Sequence, residues 1–457
     1  MKLLRRAKAA AAYEMDMTTG AMLPKVLKFS GPLILTGILQ LLYNAADVVV
    51  VGQFAGAQAL AAVGSTGALI NLLINLFMGL SVGTSVVIAK SLGAGDYPRV
   101  QQGVHTSVTV AGLAGVGVGI MGFFLARPLL ELMASPEDVI GDATLYVQIY
   151  FLGMPANMLY NFGAAILRAV GDTRRPLYYL TVAGIVNVIL NLVLVIVFHL
   201  GVAGVAIATV VSQIISAVLV IVCLMRSDGP IHLDRRRLCI HGQLLKEIVR
   251  VGLPAGLQGS LFSISNVLIQ SAVNSFGSVV MAGNAAASNL EGFVYTSMNA
   301  IYQADMTFSS QNYGAKKYHR VRHTLVVCLS VVTTLGLVLG MIFWALGRPL
   351  LEIYNGDPEV IRYGLLRLGI ILPTYFLCGA MDTMVGQMRG IGYSILPMIV
   401  SLTGACLLRI VWIYTIFAAN PTLETLYLSY PVSWLATFLT HLLCYAVVVR
   451  KLPREAA

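Results

Sequence analysis

Leu92-Gly-Ala-Gly-Asp-Tyr-Pro-Arg-Val100 and Tyr313-Gly-Ala-Lys-Lys-Tyr-His-Arg-Val321 are two versions of one stretch, 221 residues apart in a chain of 457. Working outward, the correspondence continues. Leu167-Arg-Ala-Val-Gly-Asp-Thr-Arg-Arg-Pro176 aligns with Met388-Arg-Gly-Ile-Gly-Tyr-Ser-Ile-Leu-Pro397, and Arg127-Pro-Leu-Leu-Glu131 with Arg348-Pro-Leu-Leu-Glu352. Pro32 and Asn44 find counterparts in Pro254 and Asn266. The chain is a duplication. The sequence between these marks is overwhelmingly apolar: 58% of residues are hydrophobic and 11% charged, where a soluble domain carries about 25% charged residues. That composition excludes a cytosolic enzyme, a disordered scaffold and a secreted disulfide protein, and a mean hydropathy of +0.82 agrees.

A helix crosses the hydrocarbon core with about 20 apolar residues. Apolar runs between charged or Gly/Pro breaks predict an all-α polytopic protein with twelve transmembrane helices, near 26–52, 59–90, 102–127, 138–168, 176–199, 201–226, 246–276, 279–312, 322–346, 358–390, 394–418 and 423–449. The expected organisation is an N-terminal segment 1–25, a lobe 26–226 of six helices, a basic linker 227–245, a second six-helix lobe 246–449 and a tail 450–457. An even number of spans per repeat brings both halves in from the same side. Their relating axis then runs along the membrane normal, a layout common in secondary transporters.

Charge gives the orientation. With both termini cytoplasmic, the even-numbered loops and the termini hold all but five (Arg127, Arg348, Arg362, Arg367, Arg409) of the 30 Lys and Arg residues. The net charge of +10 is therefore spread over loops and argues for no nucleic-acid partner. The N-terminus, with Arg5, Arg6 and Lys8 and then polar Tyr13 and Glu14, has no apolar region before a cleavage motif, so the first span is expected to direct insertion. The six cysteines lack CxxC spacing and read as small core residues.

An ionisable side chain in the bilayer is a functional hypothesis by default. The acids within spans are Asp47, Glu291, Asp305 and Asp382. Asp47 shares one helix face with Gln40, Tyr43 and Asn44, at i, i+3, i+4, i+7 spacing. Glu291, Tyr295 and Asn299 form a second stripe; Asn157, Tyr160 and Asn161 a third; Asn266, Gln270 and Asn274 a fourth. These read either as interhelical hydrogen bonds or as a cavity lining. Asp47 beside Tyr43 suits an amphipathic organic cation, through charge and cation–π contact. Arg409 needs a counter-charge, Asp382 or Glu291, in a functional or a structural ion pair. Asp305, close to the cytoplasmic end, is expected to be hydrated. Gly79-Leu-Ser-Val-Gly83 satisfies G-x-S-x-G, but a nucleophile elbow needs a strand–turn–helix, and the glycines read instead as helix packing. No HExxH and no Walker A lysine motif is present.

Taken together, Asp47 followed by Val-Val-Val-Val-Gly52, the Gly-Ala loops at 93 and 314, Arg168-Ala-Val-Gly171, Arg389-Gly-Ile-Gly392 and Gly201-Val-Ala-Gly-Val-Ala-Ile-Ala-Thr209 resemble the MATE (multidrug and toxic compound extrusion) family over residues 20 to 450. The resemblance implies two six-helix lobes around a central cavity, a plasma- or inner-membrane location, a monomer, small organic substrates and a cation-coupled efflux antiporter without cofactor. It further implies that Asp47 binds H⁺ or Na⁺ with Asn187, Asn191 and Thr209. Many relatives carry aspartate at Asn191, and its absence here leaves protons favoured. Asp382 matches a tenth-span aspartate used for coupling in some branches. Their seventh-span glutamate is Phe262 here, with Glu291 a possible substitute. The alternatives are a lipid-linked oligosaccharide flippase, disfavoured by a single deep arginine, and an intramembrane enzyme, disfavoured because the seven histidines form no catalytic constellation.

Overall fold

In a computed structural model, which describes residues 15–132 and 137–451, every predicted span lies in helix. The basic N-terminal residues Arg5 to Glu14 and the tail beyond Lys451 lie outside the described residues. Helix α1 (Met22–Val50) continues as a π-helical turn over Val51–Ala55. It is followed by α2 (Ala57–Gly93), α3 (Tyr97–Leu132), α4 (Glu137–Leu152), α5 (Met154–Ala169), α6 (Arg174–Leu192, with a π turn over Val193–Val197) and α7 (Gly201–Arg226). The second half runs α8 (Gly242–Asn274), α9 (Ser278–Gly314), α10 (Tyr318–Ala345), α11 (Gly347–Tyr354), α12 (Pro358–Ile371), α13 (Phe376–Gly390), α14 (Ile395–Ser401), α15 (Leu408–Trp412) and α16 (Leu423–Val449). Short π turns at Leu402–Leu407 and Ile413–Phe417 bracket α15.

Among the described residues eight helices are long and apolar enough to cross a membrane, and a ninth forms if α12 and α13, bent by 46°, count as one. The remaining predicted spans fail that measure for local reasons. The stretch 138–168 is broken at Gly153 into α4 and α5, of 16 residues each, and Pro155 at the start of α5 supplies no N–H to a continuous helix. Helix α9 is long but buries Asn284, Glu291 and Asp305, which lower its hydropathy. Large apolar side chains such as Phe124 and Leu443 are 70% or more exposed, as lipid-facing residues are.

The duplication is written into the backbone. Positive φ angles pair at the same 221-residue spacing: Gly56 (93°) with Gly277 (97°), Gly95 (71°) with Lys316 (59°), and Gly171 (89°) with Gly392 (95°). The turn geometry survives even where lysine occupies it, at about 1–2 kcal/mol of strain.

The chain divides into two compact units. The first contains residues 35–256 with Met15 and Asp16; the second contains Met17–Ile34 and the chain from Leu257. These units differ from the expected lobes at their helix starts. The first part of α1 belongs to the C-terminal unit, where Phe29 meets Phe308 edge-on at 5.7 Å, and the first part of α8 belongs to the N-terminal unit. Each crossing comes two residues after a helix-interior proline, Pro32 or Pro254, where an i→i−4 hydrogen bond is missing.

In the N-terminal unit, one core gathers Ala111, Phe151, Met154, Phe162 and Val205, and a second gathers Ile88, Val104, Leu167, Val220 and Leu224. The basic linker 227–245 is docked there, not free. Ile231 and Leu233 enter the second core, and the Asp234 N–H donates to His105 Nε2 at 3.0 Å. His105 thus has a structural task. Gly79 and Gly83 of α2 lie against α8. A Cβ at Gly79 would stand 2.4 Å from the Gly252 carbonyl oxygen, and one at Gly83 2.2 Å from that of Ile248. The G-x-S-x-G stretch is helix packing. In the C-terminal unit α9 packs on α10, α12 and α13.

Candidate functional site

In the N-terminal unit, α1 and α6 meet through a glycine. The Tyr43 ring fills the space where a Cβ of Gly184 would sit, and its hydroxyl donates to the Thr181 carbonyl at 3.4 Å. One turn further, the Asn191 Nδ2 donates to Asp47 Oδ1 and, at 3.2 Å, to Asn187 Oδ1. Asn187 and Asn191 are buried, Asp47 half-buried. The Asn191 Oδ1 is sealed from solvent without a partner among the described residues. Both helices relax into π turns just beyond this cluster, at Val51 and Val193, an irregularity frequent at functional sites. Thr209 is not drawn in: its hydroxyl donates within α7 to the Val205 carbonyl at 3.0 Å. Tyr146 of α4, which the sequence did not single out, lies within electrostatic range of Asp47.

The Asn157, Tyr160 and Asn161 stripe has structural partners. Asn161 donates to the carbonyl and side chain of Asn157, at 2.9 and 3.0 Å, and Tyr160 donates to the Pro176 carbonyl at 3.3 Å. Gln40 and Asn44 are exposed.

The C-terminal unit holds a second cluster. Glu291 is not a free acid. Arg367 of α12 grips it with Nε and Nη2, each at 2.7 Å, both side chains being almost fully buried. Arg367 Nη1 donates to Asn284 Oδ1 at 2.7 Å, and Asn284 donates to Gln270, which donates to Asn274. Gln270 and Asn266 are exposed. Neither Asp382 nor Glu291 partners Arg409, contrary to expectation. Arg409 Nε donates to Ser433 Oγ at 2.8 Å, and its guanidinium lies 4.4 Å from the Tyr430 ring centre and 5.6 Å from that of Trp434. Asp382 lies instead within electrostatic range of Tyr295, whose ring stacks on Tyr375, and Tyr375 meets Trp434 at 5.3 Å. An aromatic row therefore joins the Asp382 end of the cluster to the arginine end.

Two further expectations change. Among its described residues the unit buries three arginines, not one: Arg367, Arg389 and Arg409 are 6%, 5% and 4% exposed. Arg389 spends its terminal nitrogens on Tyr302 and Gln258. Asp305 is not hydrated but 0% exposed, both oxygens lacking a normal hydrogen bond among the described residues, with the weak Cys328 thiol as neighbour. An apolar replacement there forfeits nothing. Asp305→Val should leave thermal unfolding of the detergent-solubilised protein within about 1 kcal/mol of wild type, or raise it; a loss above about 2 kcal/mol would contradict the absence of a partner.

Among the described residues no three His, Cys, Asp or Glu side chains gather as a metal centre. Oxygen donors for a hard cation exist at Asp47, Asn187 and Asn191, but the last turns its donor side toward the other two.

The family profile described as MatE matches residues 32–193 and again 254–415, once per repeat. The probable multidrug resistance protein YoeA of Bacillus subtilis is 29% identical over 381 residues, 82% of each chain. Two solved structures are similar in fold. One is a MOP superfamily transporter from Pyrococcus furiosus, with a TM-score of 0.90, 20% identity and coverage of 98% of this chain and 99% of that one. The other is a multidrug resistance MATE family transporter in an outward-facing conformation, with a TM-score of 0.89, 20% identity and coverage of 97% and 98%.

Proposed function

The chain belongs to the MATE family of the MOP superfamily, a transporter family and not a family of enzymes, and from that premise we propose that it is a secondary active antiporter exporting amphipathic organic compounds, cationic ones among them, in exchange for protons. The observation that carries the proposal is the Asp47–Asn191–Asn187 chain. Asp47 is the single titratable member of a set otherwise made of amides. A carboxylate accepting the Asn191 N–H group is a proton acceptor held in place. Na⁺ would need the amide oxygen where the amide nitrogen now points, which supports H⁺ over Na⁺.

In this reading twelve spans form two lobes, 26–226 and 246–449, around a central cavity, in a monomer with both termini cytoplasmic. The lobes rock between outward-open and inward-open states. Protonation of Asp47 from outside removes its charge, weakens its hold on a bound organic cation and favours return. Asp382, with Tyr295, is a second proton-accepting position. Glu291, committed to Arg367, is assigned no coupling role. The flippase alternative draws some support from the three buried arginines; a proteoliposome assay with organic cations separates it.

The test is ethidium transport in proteoliposomes under an imposed pH gradient and, separately, a Na⁺ gradient. The pH gradient is expected to drive transport, and Asp47→Asn to reduce it at least about tenfold while the protein still folds and inserts, since the amide keeps the shape but loses the proton. Transport driven by Na⁺ alone, or intact in Asp47→Asn, would overturn the assignment.

A further inference from the structure

We infer that residues 235–240 of the linker between the repeats dock on an anionic lipid surface. Arg235, Arg236 and Arg237 take the headgroup phosphates, and Leu238 and Ile240 enter the interface beneath them. The inference goes beyond the exporter reading and holds whatever compound and ion are carried.

The linker starts directly after Arg226, where α7, a helix apolar enough to cross the membrane, ends. It therefore lies at a membrane surface. Its exposed part is pinned at both ends to adjacent residues of α3. Before it, the Asp234 N–H donates to His105 Nε2 at 3.0 Å, and Ile231 and Leu233 are buried. After it, the His241 N–H donates to Thr106 Oγ1 at 3.1 Å. The apolar run of α3 begins near residue 102, so both feet stand at headgroup level.

Between the feet every residue is exposed. Asp234 accepts the Arg236 N–H at 3.0 Å and so fixes the backbone turn that carries the three arginines. Arg237 has a loose contact with Asp234 at 3.5 Å, and Arg235 and Arg236 have no acid partner among the described residues. Leu238 and Ile240 are each 44% exposed. Leu238 is extended, and Cys239 Sγ lies 3.6 Å from His241 Nδ1, as i and i+2 side chains do on one side of an extended chain. Cys239 and His241 thus share the side facing α3, and Leu238 and Ile240 the side turned away from it.

The segment is a fixed loop that presents cations and then an aliphatic pair. A surface that is anionic at its face and apolar just below matches both halves. Arginine forks suit lipid phosphates, and the two aliphatic side chains leave water on the same approach. A nucleic acid or an acidic protein would engage the arginines and leave the aliphatic pair in water.

The test is amide hydrogen exchange over residues 234–241, read by mass spectrometry on the full-length protein in nanodiscs. One set of nanodiscs is phosphatidylcholine; the other is an equal mixture with phosphatidylglycerol. Exchange in wild type is expected to slow at least about threefold in the mixture. In Arg235→Gln/Arg236→Gln/Arg237→Gln the two rates should agree within about 1.5-fold. In Leu238→Ser/Ile240→Ser, which keeps the arginines, less than half of the slowing should remain. Equal rates in wild type overturn the inference and leave the loop to a soluble partner. Slowing that persists undiminished in both variants also overturns it, since the acidity of an anionic surface retards exchange without contact. If the triple variant is not monodisperse, Leu238→Ser/Ile240→Ser decides alone. No transport enters the readout, so failure of the exporter reading and failure of this inference are distinguishable.

Discussion

Arg367→Met is expected to destabilise the protein by about 3–5 kcal/mol, the range seen when one partner of a buried ion pair is removed. The reason is the charge left behind. Glu291 accepts both of its close hydrogen bonds from Arg367 and is 5% exposed, so without the arginine it must either remain an uncompensated anion or take up a proton. Asn284 loses a donor at the same time, and Tyr427 and Tyr430 lose the guanidinium between them. The double variant Arg367→Met/Glu291→Leu should recover most of the loss, because two apolar side chains of similar size need no solvation. The measurement is thermal unfolding in detergent, followed by size-exclusion fluorescence. A loss below about 1 kcal/mol in the single variant would mean the pair is solvated and not structural.

Gly83→Ala is the second large effect. Its Cβ would stand 2.2 Å from the Ile248 carbonyl oxygen, on an adjacent backbone that cannot rotate aside as a side chain can. Gly256→Ala should behave alike, since its Cβ meets the Leu76 carbonyl oxygen at 2.2 Å. Each is expected to cost about 2–3 kcal/mol or more, by prising α2 from α8. Gly117→Ala is the control. It is also a helix-interior glycine, but nothing lies within 4 Å of its Cβ position, so the alanine should be neutral or stabilising. Equal effects at all three positions would show that helix propensity, not close approach, governs these glycines.

These two sites also show how far the sequence could be read. The glycine contact was legible as spacing alone, because small residues four apart mark one face of a helix. So were the duplication and the stripe that presents Asp47. Of the pair proposed by resemblance, Asn191 donates to Asp47 and Asn187 is reached only through Asn191, while Thr209 satisfies itself within its own helix, the ordinary alternative for a hydroxyl in an apolar span. Charge counting sets Arg367 only among the five basic residues outside the cytoplasmic loops and termini. Its pairing with Glu291 depends on how α12 packs on α9, and no local pattern specifies that. For Asp305 the sequence shows nearness to the cytoplasmic end of a span, which speaks to depth but not to enclosure. The linker read as a basic connector because its charges dominate the composition; Ile231 and Leu233, the residues that dock it, are too few to register as a pattern. Position along one helix was readable, and relations between helices were readable only where a repeat or a periodicity carried them.

The central claim is that Asp47 carries the coupled proton, and proton release on substrate binding tests it without a gradient. Ethidium added to the purified protein in weakly buffered detergent solution, with a pH-sensitive dye, should release protons from wild type at mildly acidic pH and none attributable to this site from Asp47→Asn. Undiminished release from Asp47→Asn, with Asp382→Asn silent, would move the coupling site to the C-terminal unit and contradict the account.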